Sequence, residues 1–379
     1  MRHAVQVDLL ERLLSQAEGG AAGFQESDVP VDRYVSEARL ADEMRVLFRE
    51  YPLIVAHASE LARPGDFVTH DATGIPILVT RDAGARLHAF LNVCRHRGAR
   101  LVNERSGHRK AFVCPYHAWT YGGGGALTHV PMKELFPKLA CEDHALVPLP
   151  VESRHGFVWV TPQRERTREL GPFLGGLEDD LAAFGLETHR LYRRTERRRK
   201  ANWKLVIDAF TEGYHARFLH QKSVARFFST EAVSDAFAPH SRSVGARANV
   251  QDARSRPRSE WRLRDFATPF YYLFPNTILV FHPDYLSQIS VFPDGTDALS
   301  YAHSMIIPEE PKSDDDRRHW EKTFELIEET VFQREDLAIA ESVQSGLRSG
   351  ANTRFQLGGL EQPVGWFHRA IEEALAKGP

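Results

Sequence analysis

The chain has 379 residues, with 48 basic against 51 acidic side chains and a formal net charge of −3. That balance excludes a protein whose main partner is bulk nucleic acid, which needs a strong basic excess. Hydrophobic residues at 42% and charged residues at 26% exclude a disordered chain, and the length predicts one large domain plus a smaller one.

Three cysteines cannot build a disulfide scaffold in a chain this long, so a reducing compartment is expected, with thiols free or metal-bound. Eighteen histidines raise the question of metal early. No segment offers the roughly 18 uninterrupted apolar residues of a membrane span. The best stretch, Thr277 to Phe292, is broken by His282, Pro283 and Asp284. Met1-Arg2-His3-Ala4 leads into a charged amphipathic run, not an apolar signal core, and a soluble cytoplasmic protein without a membrane partner is expected.

In chain order, residues 1–20 predict a helix with Val5, Leu9, Leu10, Leu13 and Leu14 on one face. A Pro-punctuated link follows over Val29–Tyr34, then a helix over Ser36–Tyr51. From Leu53 to Val160 the period changes to short strands: Phe67–His70, Ile75–Thr80, Leu87–Val93, Ala111–Pro115 and Phe157–Val160. Gly122–Gly125 lacks the Lys-Ser/Thr of a phosphate loop and predicts a simple flexible turn. Helical patterning returns over Phe173–Phe184 and Asn202–His220. Strands are predicted over Phe270–Phe274, Thr277–Phe281, Gln288–Phe292 and Leu299–Met305. Ser313 and three aspartates start a helix running to about Val343, and a last helix spans Val364–Ala376.

The β module carries Cys94-Arg95-His96-Arg97-Gly98 and, after 17 intervening residues from His96, Cys114-Pro115-Tyr116-His117. Each pair offers one thiolate and one imidazole. Zinc suits both ligands, but zinc modules tend to pair cysteine with cysteine and histidine with histidine. A two-iron cluster with two sulfurs on one iron and two histidines on the other needs the mixture seen here.

This C-x-H-x17-C-x2-H pattern, with Arg97 and Trp119, resembles the Rieske [2Fe–2S] signature of ring-hydroxylating oxygenase alpha subunits. The resemblance implies that Cys94, His96, Cys114 and His117 hold the cluster. Trp119 shields it or fills the core, Arg97 supports the loop or stays at the surface, and Cys141 is a buried structural thiol.

Asn202-Trp203-Lys204 opens a segment with Glu212, His215 and His220, similar to the mononuclear-iron helix of the same family. At about 100° per residue, His215 and His220 stand roughly 140° apart, so a helix end, kink or π-bulge is expected between them. Two histidines and one carboxylate leave open positions on Fe(II). The segment Gln333-Arg334-Glu335-Asp336 resembles the family's carboxylate donor, which makes Asp336 the expected ligand and Glu335 its competitor.

The resemblance further implies that Glu212 bridges His117 of one subunit to His215 of the next in a head-to-tail homotrimer. Glu212 stands where many relatives carry Asp, which is similar to oxygenases acting on quaternary amines; Ala209 departs from the family's usual Asn. The implied fold is α+β: an all-β Rieske domain (41–162) inserted between an N-terminal helical part (1–40) and a catalytic domain (163–379) whose central antiparallel sheet is flanked by helices. The implied activity is O2-dependent hydroxylation, dihydroxylation or oxidative dealkylation of a small molecule, an aromatic acid or a methylated amine. Electrons from NAD(P)H arrive through a separate reductase or ferredoxin, because no Gly-rich dinucleotide fingerprint follows a strand. The alternative is a Rieske electron carrier.

Aromatics crowd 227–285, among them Phe227, Phe228, Phe237, Trp261, Phe266, Phe270, Tyr271, Tyr272, Phe274, Phe281 and Tyr285. They suit a cation cage, a flat hydrocarbon pocket or a core. Seven arginines between Arg242 and Arg264 share the stretch, and one is a candidate partner for a substrate carboxylate. The basic run from Arg190 to Lys200 is a candidate dock for an acidic electron donor, a subunit contact or a solvated face.

Overall fold

A computed structural model describes residues 1–17, 27–164 and 168–377. The chain forms two units, an all-β unit of 48–173 with 186–190, and an α+β unit made of the rest. The fold is α+β, with the all-β unit inserted within the chain of the other.

The inserted unit is built from three antiparallel sheets. In the largest, Ile77–Arg81 lies between Leu87–Leu91 and Asp66–His70. Alternate side chains of these strands fill two cores. Val68, Ile77 and Val79 meet Val158 and Val160, while Phe67 and Leu78 join Phe112, Trp119 and Tyr121. The smallest sheet, Ala111–Val113, Thr120–Gly122 and Leu127–His129, carries the second cysteine loop.

The glycine run is an anchored turn, not a simple flexible one. Leu146 N donates to Gly125 O and Thr80 Oγ1 to Gly123 O, at 2.8 and 2.6 Å. Gly125 adopts φ 86°, and a Cβ there would stand 2.5 Å from the Phe90 ring.

In the α+β unit, five successive strands between Phe228 and Ile307 plus the edge strand Phe228–Phe237 itself form an antiparallel meander, with Arg190–Arg199 closing the other edge of a seven-stranded sheet. Three of these strands, Arg190–Arg199, Phe228–Phe237 and His240–Arg247, were not anticipated: the first is almost wholly charged, and polar or charged residues interrupt the apolar ones in the other two. The arginines of the edge strand pair with acids of the C-terminal part: Arg193 with Glu321 at 2.8 Å, Arg197 with Glu329, and Arg199 with Glu341 at 3.0 Å.

The first helix covers His3–Ala17, and residues 18–20 of the expected span lie outside the described residues. The expected link at Val29–Tyr34 instead supplies a strand, Ser27–Pro30, paired with Arg354–Leu357, and a short helix, Asp32–Val35. The expected Phe173–Phe184 helix is split into Leu170–Leu174, a 3-10 turn and Glu178–Ala182. The helix Trp203–Thr211 starts where Asn202 Oδ1 accepts the Lys204 N–H at 3.0 Å, and it packs on the sheet. Ser313 and Asp316 form a capping box that opens a long helical run to Leu347. Within it, Glu325–Asp336 is π-helical.

Candidate metal centres

The two cysteine loops of the all-β unit are local copies of one design. Cys94 N donates to Ala99 O and Gly98 N to Cys94 O; Cys114 N donates to Trp119 O and Ala118 N to Cys114 O, all at 2.8–3.0 Å. The residue four beyond each cysteine is left-handed, Gly98 at φ 77° and Ala118 at φ 55°. For alanine that conformation costs roughly 1–2 kcal/mol, which the surrounding hydrogen bonds must offset.

Both cysteines are buried, and the rings of His96 and His117 lie 4.7 Å apart. Burial pushes the Cys114 thiol up, while the Tyr116 and His117 backbone N–H groups favour its thiolate. Burial, with the charges of His117 and Arg97, lowers the pKa of His96 and favours the neutral ring that a ligand must be. His96 Nδ1 is buried with no hydrogen-bond partner, an atom left over for a metal. The donor set therefore fits a two-iron cluster.

Trp119 is buried in the core and also stacks on His96, 4.7 Å apart at 9°, so both expectations for it meet in one side chain. Arg97 stays at the surface, exposed, where its Nη1 donates to Tyr116 Oη at 3.2 Å. Cys141 is only half-buried, packed against this core. Tyr121 was not anticipated: its Oη accepts from Arg95 N at 2.9 Å and lies 3.4 Å from Cys94 Sγ. With a backbone N–H on its oxygen, its own hydrogen is free to point at the sulfur.

In the α+β unit the expected Asn202–His220 helix ends early. Glu212 leaves it with φ −110° and ψ 156°, and its Oε2 accepts the backbone N–H groups of Tyr214 and His215. His215 and His220 then bracket a four-residue helix, Ala216–Leu219, and His220 leaves helical geometry at ψ 20°. The chain thus breaks before the first histidine and stops at the second, and no π-bulge lies between them. The rings meet with centroids 5.2 Å apart. The π-helical stretch stands on the carboxylate side instead, where it delivers Asp336.

Asp336 Oδ1 lies 3.5 Å from His215 Nε2 and 3.2 Å from His220 Nε2. The three donor atoms fall within 4.8 Å of one another. Asp336 Oδ1 is buried and makes no well-formed hydrogen bond. Two imidazoles and one orphaned carboxylate oxygen fit a single Fe(II) with open positions.

The far side of each ring is tied. His215 Nδ1 bonds Glu212 Oε1, and His220 Nδ1 bonds Glu335 Oε2 at 2.7 Å. Burial opposes charge on both rings, but the carboxylates outweigh it and hold both pKa values above the usual one, so the site favours positive charge. Glu335, weighed as a competing ligand, sits instead behind His220.

A cavity of about 430 Å³ opens on these residues. Phe227, Phe228, Phe270 and Tyr285 line it, joined by Phe210 and Phe332, which were not in the expected aromatic set. Of the others, Trp261, Phe266, Tyr271, Tyr272, Phe274 and Phe281 are buried core, with Phe281 stacked on Phe184, and Phe237 is half-buried.

Residues 186–377 match the family model for the ring hydroxylating alpha subunit (catalytic domain), and residues 51–140 match the Rieske [2Fe-2S] domain. The chain is 29% identical over 339 residues to the carnitine monooxygenase oxygenase subunit of Escherichia coli K12, covering 85% of this chain and 84% of that one. It is 27% identical to the chloroplastic choline monooxygenase of Spinacia oleracea, covering 91% and 78%. The quaternary ammonium Rieske monooxygenase CntA in complex with L-carnitine superposes with a TM-score of 0.79 at 25% identity, over 92% of this chain and 94% of that one. Naphthalene 1,2-dioxygenase shares the fold, with a TM-score of 0.76 at 20% identity. With a matched catalytic domain over half the chain and a Rieske domain ahead of it, the chain belongs to the ring-hydroxylating alpha subunits and is the terminal oxygenase of a Rieske non-haem iron system.

Proposed function

We propose that this oxygenase inserts one oxygen atom into a C–H bond of a small quaternary ammonium compound, consuming O2, two electrons and two protons and releasing water. The observation that carries this is the aromatic-walled cavity ending at His215, His220 and Asp336. Aromatic faces attract a quaternary ammonium by cation–π interaction without hydrogen bonds. The relatives named above support the same class.

In this proposal Cys94, His96, Cys114 and His117 hold the cluster, and His215, His220 and Asp336 hold Fe(II). When bound, the cluster supplies single electrons and the iron activates O2. Glu212 fixes the tautomer of His215 through Nδ1 and Glu335 does the same for His220, so both rings present Nε2 inward. Phe210, Phe270 and Phe332 exclude water from the cavity and orient the substrate.

Glu212 is also proposed to relay electrons to His215 from His117 of a neighbouring copy in a head-to-tail trimer. Exposed apolar side chains flank each partner of that relay: Val113 and Tyr116 beside His117, Tyr214 and Phe218 beside Glu212 and His215. Electrons would come from NAD(P)H through a separate reductase, in the cytoplasm, where thiols stay reduced. No helix of the described residues is long and apolar enough to cross a membrane.

Oxygen uptake tests the proposal. Anaerobically purified protein with a competent reductase should consume O2 with carnitine, betaine or choline and not with a panel of aromatic acids. Fully loaded protein, with three irons per chain, that ignores every quaternary amine would overturn it; two irons per chain would leave an electron carrier.

A further inference from the structure

The helical run that delivers Asp336 is α-wound at both ends, over Asp314–Phe324 and Leu337–Leu347, and π-wound for the 12 residues between. π-Winding is rare and normally lasts a single turn, so a stretch of this length needs something to hold it. One side-chain bond within it suits no other winding. Glu328 Oε1 accepts the Gln333 Nε2–H at 2.9 Å, five residues on. In an α-helix, at about 100° per residue, side chains five apart point roughly 140° away from each other and cannot meet. A backbone closed from i to i+5 makes them neighbours, as i and i+4 are in an α-helix.

Both partners are buried, and each is also held from outside the helix. Glu328 is tied to three neighbouring strands of the seven-stranded sheet, Arg190–Arg199, Leu299–Ile307 and Leu286–Pro293. Thr195 Oγ1 donates to its Oε1 at 2.7 Å, and His303 Nδ1 bonds its Oε2 at 2.9 Å. The other nitrogen of His303 meets Ser287 Oγ at 3.0 Å. Phe324 stacks on the His303 ring at 5.5 Å, and Phe332 meets the same ring edge-on at 5.0 Å. Burial opposes charge on Glu328, but the bonds from His303, Thr195 and Gln333 outweigh it and hold its carboxyl below the usual range. On the far side, Gln333 Oε1 accepts Arg199 Nη1 at 2.9 Å, and the same guanidinium reaches Glu341 Oε2 at 3.0 Å, beyond the π-wound stretch. The amide of Gln333 has one workable orientation, because a carboxylate only accepts and a guanidinium only donates.

Asp336 closes the π-wound stretch, so its direction depends on every turn before it. One turn relaxed to α-winding would swing each later residue around the axis by about 100°. Asp336 Oδ1 would leave its place 3.5 Å from His215 Nε2 and 3.2 Å from His220 Nε2. We infer that Glu328 and Gln333 are positioning residues: their bond across five residues, braced by His303 and Arg199, sets the winding that aims Asp336 at the two histidines. This rests on Asp336 being an iron ligand and adds the buried pair that makes it one.

The test breaks the bond and then rebuilds it in reverse. Gln333→Met keeps the length of the side chain and removes both of its bonds. It should weaken the mononuclear iron on the order of ten- to a hundredfold, the usual cost of losing support behind a ligand. Chelator competition reads this, with the cluster's iron and absorbance as internal standard. Nitric oxide added to the ferrous protein should also give an altered electron paramagnetic resonance signal from the iron site. Glu328→Gln together with Gln333→Glu exchanges donor and acceptor and gives Arg199 a carboxylate, so affinity and signal should return to those of the wild type. Gln333→Asn, whose amide is one methylene too short for the span, covers the case in which the methionine variant does not fold, and the same loss is expected of it. Wild-type affinity and signal in the folded single variant, even with lowered urea stability, would leave only a packing role and overturn the inference. A double exchange that stays short of iron, or does not fold, overturns it as well. Asp336→Asn serves as the control: if that variant keeps its iron, the ligand assignment itself fails and takes the inference with it.

Discussion

Glu335 Oε2 and His220 Nδ1 form a 2.7 Å hydrogen bond, and the next residue along, Asp336, faces the opposite nitrogen of the same ring at 3.2 Å. Consecutive acids thus take the two sides of one imidazole, with Ser223 Oγ donating to Glu335 Oε2 at 2.6 Å. Asp336→Asn should therefore remove most of the mononuclear iron. Glu335→Gln should keep the iron but weaken its affinity about 10–100-fold, the usual cost of losing a ligand's outer partner. Chelator competition, with the cluster's own iron and absorbance as internal standard, reads both. The reverse order would make Glu335 the ligand.

Glu212 has two duties: its Oε2 ties the backbone of Tyr214 and His215, and its Oε1 bonds His215 Nδ1. Glutamine keeps an acceptor of the same reach and removes the charge. Glu212→Gln should hold both metals, yet the reduced cluster should reoxidise far more slowly when substrate and O2 are added in a single turnover. Reoxidation at the wild-type rate would refute the relay.

Tyr121 offers its hydroxyl to Cys94 Sγ at 3.4 Å. A hydrogen bond to a ligating sulfur stabilises the reduced, more negative cluster and so raises its potential. Tyr121→Phe should lower the midpoint in a redox titration while the cluster stays bound, and an unchanged midpoint would show that the hydroxyl does not serve the sulfur.

What could be read in advance was what chemistry or a single turn of chain decides. Cysteine and histidine in two matched loops have few uses besides metal, and the cap at Ser313 needs only neighbours within three residues. What escaped depends on distant partners. Arg190–Arg199 becomes a strand because acids as far along as Glu321 and Glu341 neutralise it. The break at Glu212 is made by that residue's own side chain folding onto the next two N–H groups. Which of Glu335 and Asp336 faces inward turns on π-winding that begins ten residues earlier, at Glu325.

Below the iron helix, Glu43 is fully buried and binds Lys204 Nζ at 2.8 and 2.7 Å, Trp203 Nε1 at 3.0 Å and Arg39 Nε at 3.0 Å. Burial already lowers the pKa of Lys204 despite that partner. Glu43→Ala would strand a buried ammonium, at about 3–5 kcal/mol. Urea unfolding should show that loss, and a change under about 1 kcal/mol would mean the pair is no more than a surface-like ion pair.

His282 gives the fold an acid limit. Its Nε2 is shielded from solvent without a hydrogen-bond partner although the residue is partly exposed, and its ring stacks on Tyr285 at 4.1 Å. Burial, with the charges of His303, Arg264 and Arg247 adding to it, pushes its pKa down to about 3. The unfolded chain, titrating near the ordinary value of about 6.5, binds a proton the folded chain refuses throughout the interval between. Stability therefore rises with pH across that window, by about 1.4 kcal/mol per unit for this one group, and is complete above it. His282→Phe keeps the stack on Tyr285 and removes the titration. Urea midpoints of the two proteins should agree near neutral pH, and the wild type should fall below the variant as pH drops from about 6.5 towards about 5, before carboxylates dominate. Parallel curves would show that His282 is protonated in the folded chain as readily as in the unfolded one.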